Sequence, residues 1–286
     1  MSSYRFCRSD DIPLLVDALN RCWSPYFPGE PPVTPAAFKR TIRDLQVWCS
    51  SCMVAFAGSD PIGVLIGAKR PSGTLIHRIA VHPDHRRQGH GRHLLASLGS
   101  KLAILGPPRI VAEVPESLAD ARGLFRACGF AEEAVLTDCV LERPVPNGVE
   151  GPAPSSVEGF LIPVTVDDLA ANGLLEDADP QVCWERSVET LMARKDELAG
   201  LAVASDEQIE ACILYTSEGE TVSLRSFVDD GGARLKQLLS RGLAEGRTTF
   251  MLAKVHPAEI SKELLAALGF RPAGVHRRYA ATAQSG

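Results

Sequence analysis

The sequence predicts a mixed α/β protein made of two domains, and three observations support this. The chain has 286 residues, close to the roughly 250–300 at which a single hydrophobic core stops growing. Its composition, 45% apolar and 23% charged, is that of an ordinary soluble globular protein. Residues 143–156 are rich in proline, glycine and serine, so they cannot sustain a helix or a central strand and divide the chain near its middle.

We therefore expect a first domain at residues 1–143, a linker at 144–158 and a second domain at 159–286. The two halves share three short segments in the same order, which favours duplication of one domain. The alternative is that α/β proteins often share such helix ends. The matched segments are residues 8–12 with 165–169, 74–81 with 221–228, and 124–130 with 264–270, and the second match aligns Arg78 with Arg225.

Strand and helix signals alternate through the first half. Asp10 and Asp11 can cap a first helix, residues 58–60 mark a hairpin turn, and Gly129 ends the last helix. This pattern predicts a mixed sheet with helices on both faces. The predicted strands are residues 4–7, 52–57, 61–69, 73–81, 109–114 and 133–142, and the predicted helices are residues 11–22, 35–46, 89–105 and 118–128.

The charge distribution argues against several classes of partner. The net charge is −5, divided into +3 for residues 1–143 and −8 for residues 144–286. A nucleic-acid-binding protein would be more basic, although a basic half could hold a small polyanion. No apolar run approaches the ~20 residues of a membrane span, and the first residues lack the apolar core of a signal peptide. We expect a cytoplasmic protein.

Two groupings of cysteine and histidine are weak signals for a redox or metal site. Cys49 and Cys52 have the spacing of a redox pair, but the residues after them predict a strand, whereas that chemistry needs a helix start. No second pair completes a four-cysteine zinc site. Arg86, Arg87 and Arg92 make the histidine-rich region positive, which opposes a divalent cation. We expect packed cysteines and no metal. The clustered histidines are His77, His82, His85, His90 and His93.

The most informative segment is a strand that runs into a basic loop and then into an amphipathic helix, residues 79–95. A helix N-terminus offers unpaired N–H groups and the positive end of the helix dipole. Gly89 and Gly91 let an anion approach that backbone closely. Neither the Lys-Ser/Thr ending of a nucleotide P-loop nor the G-x-G-x-x-G spacing of a dinucleotide fold is present. The segment therefore predicts a phosphate site for something other than ATP or NAD.

The six residues 86–91, Arg-Arg-Gln-Gly-His-Gly, resemble the Arg/Gln-x-x-Gly-x-Gly/Ala signature of the GNAT acyltransferase superfamily. Residues 79–83 before them and 124–130 after them match the flanking pattern of that family. The resemblance spans residues 4–142, and the second half resembles the same fold more weakly. It implies two tandem GNAT-like domains, each with a mixed, mostly antiparallel sheet flanked by helices.

The resemblance also implies acetyl-CoA as co-substrate. The amides around residues 88–92 would hold its pyrophosphate, and the backbone of the preceding strand would pair with the pantetheine arm. A strand amide would act as a one-donor oxyanion hole, a type of group that commonly supplies a large catalytic effect. The cofactor-binding residues implied are Ile79, Ala80, Val81, Arg86, Arg87, Gln88, Gly89, His90, Gly91, Arg92 and Phe125.

A base is needed because an alkylamine, with a pKa near 10.4, is mostly protonated at pH 7. The family often places a glutamate on the strand before the loop, and His77 stands at that position. Glu113 on the next strand is a second candidate, and the alternative for His77 is an ordinary strand residue. The usual general acid of the family is a tyrosine, where this chain has Phe125, and Leu118 stands near the position of a usual asparagine.

The acceptor side is predicted less sharply. The loop between the first two helices carries Trp23, Tyr26, Phe27 and Glu30, which could line an acceptor pocket and attract an amine, or could form a lid packed on the core. In the second half the segment after Val228 is shorter than its counterpart and carries Asp229 and Asp230 where an anion would bind. We expect a degenerate second copy.

Together these features predict an N-acetyltransferase, active in its first half, in which a primary amine attacks acetyl-CoA directly. The alternative is a catalytically inactive CoA-binding sensor or scaffold, which the missing tyrosine favours. The acceptor is expected to be a small-molecule or peptide amine, with no nucleic-acid or membrane partner. The acyl chain length, the acceptor and the oligomeric state are left open.

Overall fold

The computed structural model describes residues 2–142, 159–175, 182–244 and 248–283. They fall into two compact units. The first unit combines Met1–Ala134 with the C-terminal segment Arg277–Gly286, and the second unit is Val135–His276. The linker expected at 144–158 lies outside the described residues, so the domain boundaries drawn from the sequence stay a prediction.

The first unit contains the elements expected from the sequence, each within a few residues of its predicted bounds. Pro35 opens the second helix at a Thr34 cap, and Gly89 precedes the third. The elements are β1 (Ser2–Phe6), α1 (Ile12–Cys22), α2 (Pro35–Leu45), β2 (Met53–Ala57), β3 (Asp60–Arg70), β4 (Gly73–Val81), α3 (His90–Leu105), β5 (Arg109–Pro115), α4 (Ala119–Ala127) and the start of β6 (Ala131–Glu142).

The sheet of the first unit has the order β1-β2-β3-β4-β5, followed by the strand that ends the chain, β12 (Arg271–Thr282). Pairs among β1 to β4 are antiparallel, and β4 pairs with β5 in parallel. α3 and α4 cover one face, where Leu94, Leu98 and Phe125 pack against Ala112 of β5 and Tyr279 of β12. The first unit therefore takes its last strand from the far end of the sequence.

The second unit repeats this plan. A four-stranded antiparallel sheet has the order β10-β9-β8-β7, and β11 pairs with β6 in an antiparallel ladder. Its elements after β6 are β7 (Phe160–Val164), α5 (Val166–Ala171), α6 (Val188–Ala193), β8 (Leu198–Ala204), β9 (Ile209–Thr216), β10 (Thr221–Ser226), α7 (Ala233–Ala244), β11 (Thr249–Val255), α8 (Lys262–Ala267) and the start of β12. None of the helices in the described ranges combines the length and the apolar character needed to cross a membrane.

The cysteine pair singled out in the sequence is part of the packing. Cys52 is fully buried and is followed at once by β2, as the strand prediction required. Burial raises the pKa of the Cys52 thiol, and it raises the pKa of the neighbouring Cys7 to about 12. A thiol that is so reluctant to ionise is a poor nucleophile, which favours packed over redox-active cysteines.

Replacing Tyr279 by alanine should destabilise the first unit by about 3–5 kcal/mol, because the ring is fully buried and its removal leaves a large cavity. Urea unfolding followed by circular dichroism measures the change. The matched control is Tyr279→Phe, which keeps the ring and loses only the 3.3 Å hydrogen bond to Glu132. An unchanged unfolding midpoint for Tyr279→Ala would contradict the assignment of β12 to this core.

Candidate functional site

The site is built on a separation between β4 and β5. Their ladder comprises the pairs Thr74–Ile110 and Leu75–Val111. Beyond Leu75 the register continues on the β3 side as far as Val81, which pairs with Gly63. The carboxyl-terminal half of β4 therefore faces an opening on the β5 side, and its backbone polar groups on that side require partners other than a strand.

A bulge sets which groups of β4 face that opening. Ile66 pairs with Arg78 and Gly67 with Ile76, so His77 is the extra residue. Bulges are frequent beside active sites, where they re-aim side chains. The N–H of His82 donates to Ile62 on β3 at 2.9 Å.

Because strand groups alternate in direction, the backbones of Ile79 and Val81 point away from β3 into the opening. Their predicted contact with a cofactor stays a prediction. Ala80, predicted to bind the cofactor with them, instead pairs with Val64 and directs its backbone to β3.

The loop after β4 forms an open cradle at the start of α3. Arg87 has φ 61° and Gly89 has φ 86°, and this left-handed backbone turns the chain into the helix. Within the described residues, the amides of residues 87–92 have no hydrogen-bond acceptor. A Cβ built on Gly89 would meet nothing within 4 Å, so the space over these amides is open. Consecutive free amides at a helix start fit a phosphate group.

The two arginines of the loop meet an acidic side chain from α4. Arg86 and Arg87 both donate to the carboxylate of Asp120, Arg87 at a distance of 2.6 Å. The Arg86 guanidinium also lies 5.8 Å from the ring centre of Tyr26. These pairs are exposed, and exposed ion pairs contribute only about 0–1 kcal/mol, so a bound polyanion can replace Asp120.

His90, the first residue of α3, is buried beneath the loop. Its Nδ1 lies 2.6 Å from the hydroxyl of Tyr4, and no partner for its buried Nε2 lies among the described residues. The rings of His85 and His93 belong to the same cluster. Burial, with smaller contributions from His85 and His93, lowers the pKa of His90 below its usual value. The described residues contain no group of three or more metal-ligating side chains placed to hold an ion.

The two candidate bases lie at equivalent positions along the separated strands β4 and β5. His77 lies two residues beyond Leu75, and Glu113 lies two residues beyond Val111, to which Leu75 is paired. His77 is half-buried. The carboxylate of Glu113 accepts a hydrogen bond from Arg278 of β12 at 3.1 Å, and both side chains are at least 95% buried. Glu113 is thus committed to a buried ion pair.

The predicted acceptor loop lies over β4. The Trp23 ring stacks on Phe27, with centroids 4.4 Å apart, and its indole N–H donates to Glu30 at 3.1 Å. The Tyr26 hydroxyl donates to the carbonyl of Val81 at 2.6 Å. The structure therefore brings the four predicted acceptor residues to the carboxyl-terminal half of β4.

The structure removes one predicted residue, Phe125, from the site and adds another residue, Arg78. Phe125 is only 2% exposed and packs in the core against Phe130 and Tyr279, so it does not present a surface to a cofactor. Arg78, next to His77, lies with its guanidinium carbon 4.9 Å from the Trp23 ring centre. Arg78 is not among the site residues predicted from the sequence, although its alignment with Arg225 was a signal.

The counterpart of the loop in the second unit is closed by its own side chain. The carboxylate of Asp230 accepts hydrogen bonds from the amides of Gly232 and Arg234 at 2.9 and 3.0 Å, at the start of α7. Burial by itself would raise the pKa of Asp230, but these amides and the Arg234 guanidinium lower it below the usual value. A carboxylate of the chain itself therefore lies at the helix start where the first unit has open amides. That the second half is a degenerate copy stays a prediction.

Comparisons with known proteins agree with this geometry. Residues 13–130 match the family described as acetyltransferase (GNAT). The matched residues lie wholly within the first unit. They include the separated strand β4 and the cradle at the start of α3.

Solved structures extend the likeness over both units. A GCN5-related N-acetyltransferase from Sphaerobacter thermophilus is 15% identical and has a TM-score of 0.68, over 100% of this chain and 96% of that one. A tandem GNAT protein from the clavulanic acid biosynthesis pathway is 18% identical with a TM-score of 0.64, over 99% of both chains. At these identities the likeness shows the fold, which confirms the predicted tandem GNAT-like architecture. Family and fold support acyl transfer as the general chemistry.

The cluster around His90 predicts that the first unit loses stability in acid. Because the pKa of His90 is lowered in the folded state, the unfolded chain binds the proton more tightly. The free energy of unfolding should therefore fall as the pH drops below about 6.5. In a proton NMR titration, the histidine signal missing from His90→Gln should titrate below 6.5 in the wild type, and a value above 6.5 would contradict the burial argument.

Proposed function

We propose that the first unit is an N-acetyltransferase that moves the acetyl group of acetyl-CoA to a primary amine by direct attack. The main support for the proposal is the combination of open amides at the start of α3 with the outward backbone of Ile79 and the outward N–H of Val81 on β4, since the Val81 carbonyl already accepts from Tyr26. The first suits a pyrophosphate, and the second suits an extended amide-containing arm. Acetyl-CoA supplies an activated thioester, and the reaction needs neither a metal nor a covalent enzyme intermediate.

The residues of the loop would hold the phosphates. The amides of Gln88, Gly89 and His90 would donate to them at the helix start, and those of Gly91 and Arg92 would extend the cradle. Arg86 and Arg87 would exchange Asp120 for phosphate oxygens, since charge-assisted pairs to phosphate are strong. The backbones of Ile79 and Val81 would orient the pantetheine arm in the opening between β4 and β5.

We assign the base to His77 in preference to Glu113. Imidazole titrates near neutrality, so His77 can accept the proton of an ammonium directly or through water. Glu113 is less suitable because its carboxylate forms a buried ion pair with Arg278. An amide of β4 near the bulge would donate to the thioester oxygen as negative charge develops there.

The alternative hypothesis is a CoA-binding protein without transferase activity. It is favoured by Phe125, which stands where the family usually has a general-acid tyrosine. No hydroxyl stands at that position, and the ring is enclosed by the core. The departing thiolate has a pKa near 8.5, which allows it to leave without full protonation. The two readings predict the same binding of acetyl-CoA and differ in turnover.

Gly89→Glu should abolish binding of acetyl-CoA. A glutamate at φ 86° is strained, and its carboxylate would stand where the phosphates bind. Saturating acetyl-CoA, at about 100 times its dissociation constant, should stabilise the wild type by about 2.7 kcal/mol in thermal unfolding and should leave Gly89→Glu unaffected. The matched control is Gly99→Glu on the same helix, where a Cβ also meets nothing within 4 Å. Equal ligand-induced shifts in both variants would refute the cradle.

His77→Ala should lower kcat by roughly 100- to 10,000-fold, because general-base catalysis contributes about that factor. Thiol release from acetyl-CoA in an amine screen measures it, and the acid limb of the pH–rate profile should disappear in the variant. His256→Asn, a histidine substitution in the second unit, is the control. Normal turnover in His77→Ala would remove the assigned base, and binding without turnover in the wild type would favour the non-catalytic reading.

A further inference from the structure

Arg78 is a partly buried charged side chain for which the described residues supply no hydrogen-bond acceptor. It follows the bulge on β4, and its side chain is 26% exposed. Within the part of the chain that the structure describes, no acceptor lies within hydrogen-bonding distance of its guanidinium. Glu30 is the nearest counter-charge found there, with 3.9 Å between Arg78 Nη2 and Glu30 Oε2.

That contact with Glu30 satisfies Arg78 poorly. The Glu30 side chain is 47% exposed, and the same oxygen already accepts the indole N–H of Trp23. Burial accordingly lowers the pKa of the Arg78 guanidinium below its ordinary value, and the charge of Glu30 compensates only in part. A partly buried guanidinium whose donors meet no protein acceptor can form strong charge-assisted hydrogen bonds with an anionic ligand.

The repeat in the second unit provides an internal comparison. Arg225 aligns with Arg78 and lies on β10, the counterpart of β4. There the guanidinium donates to the carbonyl of Leu174 at 3.0 Å, so the protein satisfies it internally. The lack of a described protein acceptor at Arg78 is therefore a property of the first unit rather than a requirement of this fold.

The surroundings of Arg78 limit what the ligand can be. Its flat guanidinium lies over the Trp23 ring. This contact holds the N–H donors of the guanidinium in place for a planar acceptor that accepts two parallel hydrogen bonds. The adjacent residue in the chain is His77, the base assigned above. We infer that Arg78 binds a carboxylate of the acceptor, so that the amine acetylated by this protein is carried by a carboxylate-bearing molecule such as an amino acid.

This inference rests on the proposed transferase function and specifies its acceptor class. The shared chemistry, a primary amine with a nearby carboxylate, is found both in free amino acids and in peptides that begin with an acidic residue. The first test therefore uses the full chain, acetyl-CoA and matched amines that differ in the carboxylate. The pairs are phenylalanine with phenethylamine, lysine with cadaverine, and β-alanine with ethylamine, and an aspartyl and an alanyl dipeptide amide separate the two sources.

The carboxylate-bearing member of at least one pair should have a kcat/KM roughly 10- to 100-fold higher, as expected for a charged hydrogen-bonded pair. Arg78→Gln should remove this preference by lowering kcat/KM for that member and leave the decarboxylated amine within about twofold. Arg78→Lys keeps the charge but loses the two parallel N–H donors of the guanidinium. Its preference for the carboxylate-bearing amine should lie between those of the wild type and Arg78→Gln. Arg225→Gln is the matched control and should behave as the wild type.

Several results would overturn the inference. One is a wild-type kcat/KM for the decarboxylated amines that equals or exceeds that for their carboxylate-bearing partners. Another is an equal fall in kcat/KM for both members of a pair in Arg78→Gln. By contrast, absence of thiol release with every amine, or absence of acetyl-CoA binding, would refute the proposed transferase itself.

Thermal unfolding of Arg78→Gln gives a readout that does not depend on turnover. A melting temperature equal to or above that of the wild type fits a ligand-binding arginine, whereas a clear decrease fits a structural one and would overturn the inference.

Discussion

The separation of β4 from β5 beyond the Leu75–Val111 pair is the constraint on which the first unit depends. A strand inside a sheet normally satisfies its polar groups on both sides, and leaving one side open is costly unless something else pairs with it. The bulge at His77, the outward backbones of Ile79 and Val81, and the turn into α3 all lie beside this opening. β5 is in turn fixed on its other side, where Glu113 pairs with Arg278.

The two units show how one architecture can hold or exclude an anion. In the first, Gly89 leaves the start of α3 without a capping side chain, and its amides are open. In the second, Asp230 caps the equivalent helix start with its own carboxylate. Arg78 and Arg225 differ in the same sense, since one lacks a protein acceptor among the described residues and the other donates to Leu174. The two units share one framework, and a few polar groups decide which helix start has room for an anionic ligand.

Local signals carried most of the prediction from sequence. Gly58, Gly89 and Gly129 all adopt positive φ at the ends that were predicted for a hairpin or a helix, because such backbone is readily available only to glycine. The pairing of distant segments was not readable in this way. Nothing in the pattern of residues 271–282 indicates that this strand completes the first unit, since strand periodicity specifies a buried face but not a neighbouring strand. The surroundings of Arg78 could not be predicted for the same reason, because they depend on how Trp23 and Glu30 are placed around it.

The packing of β12 also accounts for Phe125, the position at which the resemblance to the family leads one to expect a tyrosine. The ring of Tyr279 stacks on Phe125 with centroids 5.9 Å apart, and Phe130 meets it edge-on at 5.1 Å. A hydroxyl added to Phe125 within this core would have to find a buried partner or lose its hydration, which costs about 1–3 kcal/mol. An apolar ring is therefore the stable choice once the chain's last strand lies here. The loss of that hydroxyl is thus explained by the fold of the first unit, and it does not by itself argue against transfer, because a thiolate is a good leaving group near neutral pH.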